Sequence, residues 1–178
     1  HASPAMGNRP VAALAPAFAP PRLVAHVVGG LDTGGPGNGL LDLIAHMPGD
    51  RYRHAVVCLR DQGSFHDALR ELGVDVIDLH GRGGADSGPG NIVRILRMVR
   101  VLRALRPDVV HTRNLGGLEG QLAAALAGVR LRVHGEYGRD PAEPGRTRPP
   151  NFLRRMLRPL VGHYIAVSAE QERWLIEQ

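Results

Sequence analysis

The sequence has no lysine, a single cysteine and few aromatic residues. One cysteine, Cys58, excludes an internal disulfide and any zinc site that is built from several cysteines. It lies in an apolar run, so we predict a buried, inert thiol in a protein of the reducing cytoplasm. No apolar stretch approaches the roughly 20 residues that a membrane-spanning helix needs. Aromatic residues make up only 4% of the chain, so aliphatic side chains must supply most of the core.

The charge balance favours anionic partners. All 22 basic residues are arginine, and the chain carries a formal net charge of +5. Nucleotides, phospholipid head groups and nucleic acid all fit that charge. Nucleic acid is the least favoured of the three, because the chain lacks aromatic stacking platforms and any known nucleic-acid-binding motif.

The chain divides into a short tail and one domain. Residues 1–21 are rich in alanine and proline without a repeating apolar face, which predicts a tail or an extended strap. Over residues 22–178, six short apolar segments alternate with helical patterns. This alternation predicts an α/β fold, a Rossmann-like doubly wound parallel sheet of about six strands. The predicted strands span residues 23–28, 54–59, 74–79, 109–111, 129–134 and 164–167, and Ser168 is predicted to cap the last helix.

A glycine-rich loop follows the first predicted strand and includes Gly34, Gly35 and Asn38. In a doubly wound sheet this loop borders the crevice where ligands bind, and glycines let backbone N–H groups approach a phosphate. Asn38 can cap the next helix or donate to a ligand; alternatively, the glycines only permit turns. The loop has no G-x-G-x-x-G sequence, which argues against a nicotinamide- or flavin-binding domain.

Polar residues end the fourth and fifth predicted strands: His111, Arg113, Asn114, His134 and Glu136. Because both strand ends lie on the same rim of the sheet, we expect these side chains to converge on one crevice. A histidine can donate to a hydroxyl or a phosphate, and Arg113 can hold a phosphate with a bidentate fork. Glu136 can accept from a hydroxyl or fix the ring of His134. Each could instead be a hydrogen-bonded rim residue without a ligand.

In their order along the chain these blocks resemble glycosyltransferase family 4, whose GT-B fold places two Rossmann-like domains face to face. The matching blocks are Gly34-Gly35, residues 107–111 (PDVVH) and residues 131–134 (LRVH). The resemblance covers residues 23–174 and is strongest to sugar transferases found beside bacterial exopolysaccharide and exosortase-linked genes. The family loop usually has a glutamate where Gly37 stands here, so no role passes to Gly37.

The resemblance implies retaining transfer of a sugar from a nucleotide-sugar donor to a glycan or lipid-linked acceptor, without a metal or another cofactor. It implies a catalytic role for His134 and a donor- or acceptor-binding role for Gly34, Gly35, Asn38, His111, Arg113, Asn114 and Glu136. The family's C-terminal donor-binding domain carries a Glu-x7-Glu motif that this chain lacks. We therefore expect the N-terminal, acceptor-side domain, inactive by itself. The alternative is a non-catalytic module that binds an anionic ligand or a partner domain.

Two arginine clusters suggest a further partner. Arg94, Arg97, Arg100, Arg103 and Arg106 recur every third residue of a predicted helix, where we expect a broad basic surface opposite Ile92, Ile95, Met98, Val99 and Leu102. A second cluster consists of Arg154, Arg155 and Arg158. Both clusters are predicted to be solvated helix faces; the alternative is peripheral docking at the anionic inner face of a membrane.

Overall fold

Six strands form one fully parallel sheet in the order β3-β2-β1-β4-β5-β6. The computed structural model describes residues 20–30, 35–59, 65–79, 92–137 and 149–177. The strands are β1 (Arg22–Val28), β2 (Tyr52–Cys58), β3 (Asp75–Asp78), β4 (Val109–Arg113), β5 (Leu131–Glu136) and β6 (His163–Ala166). The helices are α1 (Gly35–His46), α2 (Phe65–Glu71), α3 (Ile92–Leu105), α4 (Asn114–Gly117), α5 (Gly120–Leu126), α6 (Pro149–Leu157) and α7 (Ala169–Glu177), with a 3-10 turn at Arg158–Leu160.

The strand order confirms the predicted Rossmann-like, doubly wound sheet. The order reverses between β1 and β4, and that reversal opens a crevice at the carboxyl ends of the strands. Only residues 20 and 21 of the predicted tail lie within the described part of the chain. No helix in that part is long and apolar enough to span a membrane.

The core has two layers because side chains alternate between the faces of a strand. Val27 packs with Met98 in a cluster between the sheet and helices α3 and α5. Its neighbour Val28 packs with Leu40 and Leu69 in a second cluster under α1 and α2. Each fully buried side chain of this size contributes about 1.5–3 kcal/mol relative to an exposed one. The two layers hold the central strands rigidly and so fix where their polar ends lie.

Strand ends differ from the predicted ones at the rim. Strand β4 continues two residues beyond the predicted end, to Arg113, and β5 runs to Glu136 and not to His134. His134 therefore lies within the strand, and its orientation is set by the pleat. The predicted cap is confirmed: the backbone N–H of Gln171 donates to Oγ of Ser168 over 3.2 Å, just before α7.

The predicted basic face of α3 is wrong at two positions. Arg94 is buried, and its Nε lies 2.6 Å from Oε1 of Glu119, whereas Ile92 is 65% exposed. Arg94 stands four residues before Met98, so both project from the same side of the helix toward the sheet. Residues spaced three apart do not stay on one face of a helix, so this spacing cannot keep every arginine exposed to solvent. The exposed members are Arg97, Arg100, Arg103 and Arg106.

Candidate functional site

The polar residues that end β4 and β5 divide between the two faces of the sheet. The strand register pairs Thr112 with His134, so these two side chains share a face. Side chains alternate along a strand, so His111 and Arg113 project from the opposite face to His134 and Glu136. The prediction that all of them converge on one crevice is therefore wrong. They form two clusters, one on each face of the sheet.

The first cluster surrounds His134, which is 1% exposed. Its Nδ1 lies 2.7 Å from Oγ1 of Thr112, and its Nε2 lies 3.2 Å from Oε1 of Glu136. The ring meets Tyr164 edge to face at a centroid distance of 5.7 Å. Both ring nitrogens thus have protein partners. Of the two sequence-based interpretations of Glu136, the geometry shows the contact that orients His134.

Glu136 is held as a carboxylate. Burial alone would raise its pKa, but hydrogen bonds from His134 and Arg154 and the positive charge of Arg154 outweigh burial and lower the pKa. Nε of Arg154 donates to Oε1 of Glu136 over 2.9 Å, and both side chains are buried. A buried ion pair of this kind keeps its charge because each partner replaces the lost water.

The predicted exposure of Arg154 is also wrong. It was expected on an exposed basic cluster, yet it is only 8% exposed, and it shares the inward side of α6 with the buried Leu157. The spacing of three residues between these two positions was the available sequence signal. Arg155 and Arg158, on other sides of the turn, are exposed as expected.

A pocket of about 750 Å³ opens beside this cluster, at the carboxyl ends of β5 and β6. His134, Glu136 and Arg154 contribute to its lining, and Arg155 and Arg158 add two further cationic groups. The remaining lining is mostly apolar and includes Leu118, Tyr164, Ile165, Val167, Leu175 and Ile176, with Ser168 and Glu172 as its polar members. The pocket lining therefore combines three arginines and two glutamates with a larger number of apolar side chains.

The second cluster is a row of hydrogen-bonded rings on the α1 side of the sheet, which we call the histidine row: His54, His26, His111 and Tyr137. Nδ1 of His54 lies 3.1 Å from Nε2 of His26, and the two Nδ1 atoms of His26 and His111 are 3.0 Å apart. Nε2 of His111 lies 3.0 Å from the Tyr137 hydroxyl. Only His111 was a sequence-based candidate. The register that pairs His26 with His111 across β1 and β4 brings the row together.

Burial keeps the histidine row neutral. It lowers the pKa of His111 to about 3, with the positive charge of Arg113 acting in the same direction. Burial, together with the neighbouring His111, His54 and Arg113, holds the pKa of His26 well below its ordinary value. The pKa of the half-buried His54 is also lowered by burial. Within the described ranges, no three His, Cys, Asp or Glu side chains are grouped as metal ligands.

Tyr137 connects the predicted rim residues on this side. Its ring lies 3.7 Å from the Arg113 guanidinium carbon, and its backbone N–H donates to Oδ1 of Asn114 over 2.7 Å. Asn114 adopts a left-handed φ of 51°, which asparagine tolerates better than most residues. Gly135 leaves the space for the ring, because a Cβ there would overlap it. His111 and Arg113 thus contact the side chain of Tyr137, and Asn114 accepts from its backbone; the sequence interpretation missed this residue.

Only part of the glycine-rich loop lies within the described residues. Gly34 lies outside the described residues, α1 begins at Gly35, and the side chain of Asn38 is likewise outside the described part. A Cβ placed on Gly39 would lie 3.4 Å from Nη2 of Arg113. The first turns of α1 therefore approach Arg113 on the face of the histidine row.

A model described as the glycosyl transferase 4-like domain matches residues 34–178. The chain belongs to this family. No curated protein sequence matches it. Family membership confirms the predicted resemblance to the N-terminal domain of family 4.

Solved structures share the fold of this glycosyl transferase 4-like domain. A glycosyltransferase from Rickettsia africae aligns with 90% of the chain at 15% identity and a TM-score of 0.65, and MurG of Acinetobacter baumannii aligns with 85% at 18% and 0.59. UDP-GlcNAc 2-epimerase of Methanocaldococcus jannaschii aligns with 87% at 14% and 0.52. The domain spans 40%, 42% and 42% of those chains, respectively. At such identities the likeness shows the fold alone.

Proposed function

We propose that residues 22–178 form the N-terminal, acceptor-side domain of a retaining glycosyltransferase. The whole enzyme would move a sugar from a nucleotide-sugar donor to a glycan or lipid-linked acceptor in exopolysaccharide or cell-envelope glycan synthesis. The donor would be held mainly by a second, C-terminal domain that closes over the carboxyl rim. Family membership supports sugar transfer, and the solved relatives named for glycosyl transfer and for UDP-GlcNAc epimerisation are consistent with a nucleotide-sugar ligand.

The composition of the pocket is the observation that carries the acceptor assignment. Arg155 and Arg158 supply positive charge next to an apolar lining that includes Ile165 and Val167. A neutral sugar has neither a negative charge nor a hydrocarbon chain to match this lining. A phosphate attached to a hydrocarbon chain has both. We assign the pocket to the phosphate and the first hydrocarbon units of a lipid-linked acceptor. A lipid-linked acceptor is consistent with an enzyme that works as a peripheral protein at the inner face of the cytoplasmic membrane.

We assign the residues of the two clusters to the two substrates. His134, as the catalytic residue, and Glu136 face the pocket and would contact the acceptor and the reacting sugar. His111, Arg113, Asn114 and the glycine loop with Gly34, Gly35 and Asn38 would bind the donor on the α1 side. The two substrates would meet over the rim, under the second domain.

The acceptor assignment predicts selective binding of amphiphilic phosphates. Farnesyl phosphate should bind the chain, and the double variant Arg155→Gln/Arg158→Gln should weaken binding about tenfold, because each lost charge costs on the order of 0.5–1 kcal/mol near the surface. Isothermal titration calorimetry measures both affinities. Arg173→Gln, an exposed arginine of α7 outside the pocket, is the matched control and should bind like the unaltered chain. Equal affinities for all three proteins would contradict the assignment.

The proposed binding of the donor mainly by a second domain predicts negligible sugar transfer by this chain alone. Without the second domain, the departing nucleotide diphosphate lacks most of the groups that would stabilise its charge in the transition state. Incubation with radiolabelled UDP-, GDP- and ADP-sugars and a prenyl phosphate-linked acceptor, followed by extraction of labelled lipid, measures turnover. Robust turnover would refute this proposal. Binding of neither lipid phosphate nor nucleotide sugar would favour the alternative, a module that docks on a partner domain.

A further inference from the structure

Gln121, Thr112 and His134 form a chain of hydrogen bonds, and the backbone carbonyl of Val133 determines which group donates in each of them. Nε2 of Gln121 lies 2.8 Å from the carbonyl oxygen of Val133 and 2.7 Å from Oγ1 of Thr112. A carbonyl can only accept, so the amide nitrogen of Gln121 must face it. Turning the amide over would bring two oxygens together at that distance. The orientation of Gln121 is thereby fixed.

The orientation of Gln121 then fixes the hydroxyl of Thr112. One N–H of the amide serves Val133, and the other donates to Oγ1 of Thr112. The hydroxyl proton of Thr112 has two acceptors in range, the Val133 oxygen at 3.5 Å and Nδ1 of His134 at 2.7 Å. The longer contact is beyond the normal range of an O–H···O hydrogen bond, and that oxygen already accepts from Gln121. Thr112 therefore donates to Nδ1.

A nitrogen that accepts a hydrogen bond carries no proton, so the ring proton of His134 lies on Nε2. Nε2 faces Oε1 of Glu136 at 3.2 Å, and the same oxygen accepts from Nε of Arg154 at 2.9 Å. The contacts on the two sides of the ring thus favour the same tautomer. Gln121 and Thr112 are fully buried, so water does not compete for these bonds.

We infer that Gln121 and Thr112 are positioning residues that hold His134 as the Nε2–H tautomer. In this state the single ring N–H of His134 is directed at the Glu136 carboxylate, and no ring nitrogen is free to act as a general base. The tautomer follows from the hydrogen-bond geometry alone. Its use in sugar transfer, in which an oxygen of the reacting groups would replace Glu136 as the acceptor of the Nε2 proton, rests on the proposed function.

Nitrogen NMR of the whole chain tests the inference directly. Long-range proton–nitrogen correlation of the ¹⁵N-labelled protein separates protonated from unprotonated ring nitrogens, and His134→Gln identifies the signals of His134 by their loss. We expect a protonated Nε2 and a hydrogen-bonded, unprotonated Nδ1, with the Nε2–H tautomer favoured at least about tenfold, which one net hydrogen bond to each nitrogen supports. A proton on Nδ1 would overturn the inference.

Three variants separate positioning from a merely structural role. Thr112→Val should move the Nδ1 resonance toward that of a nitrogen without a hydrogen bond, and Thr112→Ser should restore it. Gln121→Leu, which frees Thr112 to rotate, should give an intermediate position and serves if Thr112→Val does not fold. Unchanged Nδ1 resonances in the folded variants would contradict the inference. Farnesyl phosphate binding is measured separately, so failure of the proposed function and failure of this inference remain distinguishable.

Discussion

Acidification from about pH 7.5 to pH 5 is expected to lower the free energy of unfolding by several kcal/mol. His26, His54 and His111 are kept neutral in the folded chain, because burial lowers the pKa of each. Once unfolded, they take up protons near pH 6.5. Their contribution to stability is therefore complete above that pH and is lost as the pH falls toward the folded values, which for His111 is about 3. At pH 5, His111 alone accounts for about 2 kcal/mol.

Urea denaturation at a series of pH values measures this effect. His111→Asn keeps a polar group near Nδ1 of His26 but cannot titrate, so the slope of stability against pH should fall by about 1.4 kcal/mol per pH unit below pH 6. The absolute stability of the variant will also be lower, because the Tyr137 hydroxyl loses its partner. His163→Asn, which changes an exposed histidine outside the histidine row, is the control. A slope in His111→Asn equal to that of the unaltered chain would contradict the account.

Replacement of Glu136 by leucine is expected to cost about 3–5 kcal/mol of stability at neutral pH. The change leaves the Arg154 guanidinium buried without its carboxylate, and the loss of one partner is the costly way to break a buried ion pair. The measurement is the free energy of unfolding in urea. The double variant Glu136→Leu/Arg154→Met should recover most of the loss, because no uncompensated charge remains.

A second glutamate of the same pocket serves as the control, because its substitution should have little effect on stability. Glu172 lines the same pocket but is exposed, so Glu172→Gln should alter stability by no more than about 0.5 kcal/mol. If Glu136→Leu behaved like Glu172→Gln, the buried pair would contribute little. The double variant would then offer no recovery, and the support of His134 by a charged carboxylate would have to be abandoned.

The fold was predictable because its signals are local. Short aliphatic segments that alternate with helical patterns specified a parallel sheet, and Ser168 could be recognised as a cap from its position before a helical pattern. The location of polar residues at the ends of β4 and β5 followed from the same pattern. These inferences need only neighbouring residues and the rule that parallel strands end on a common rim.

The arrangement of the site was not predictable, because it depends on contacts between distant residues and on exact strand ends. His26 and His111 are 85 residues apart, and only the pairing of β1 with β4 brings them together. The sequence around Arg154 predicts an exposed basic helix, whereas Arg154 is paired with Glu136, 18 residues earlier in the chain. The β4–β5 register, which pairs Thr112 with His134, determines which face of the sheet His134 occupies. A sequence pattern carries no record of these registers.

The close approach of Tyr137 to Gly135 links two positions in any related sequence. The ring of Tyr137 occupies the volume that a side chain at residue 135 would need. A family member with alanine or a larger residue at the first position must place a small side chain at the second or bend the rim differently. Substitutions at these two positions should therefore occur together, and the glycine–tyrosine combination can be used to identify the relatives that share the aromatic contact with Arg113.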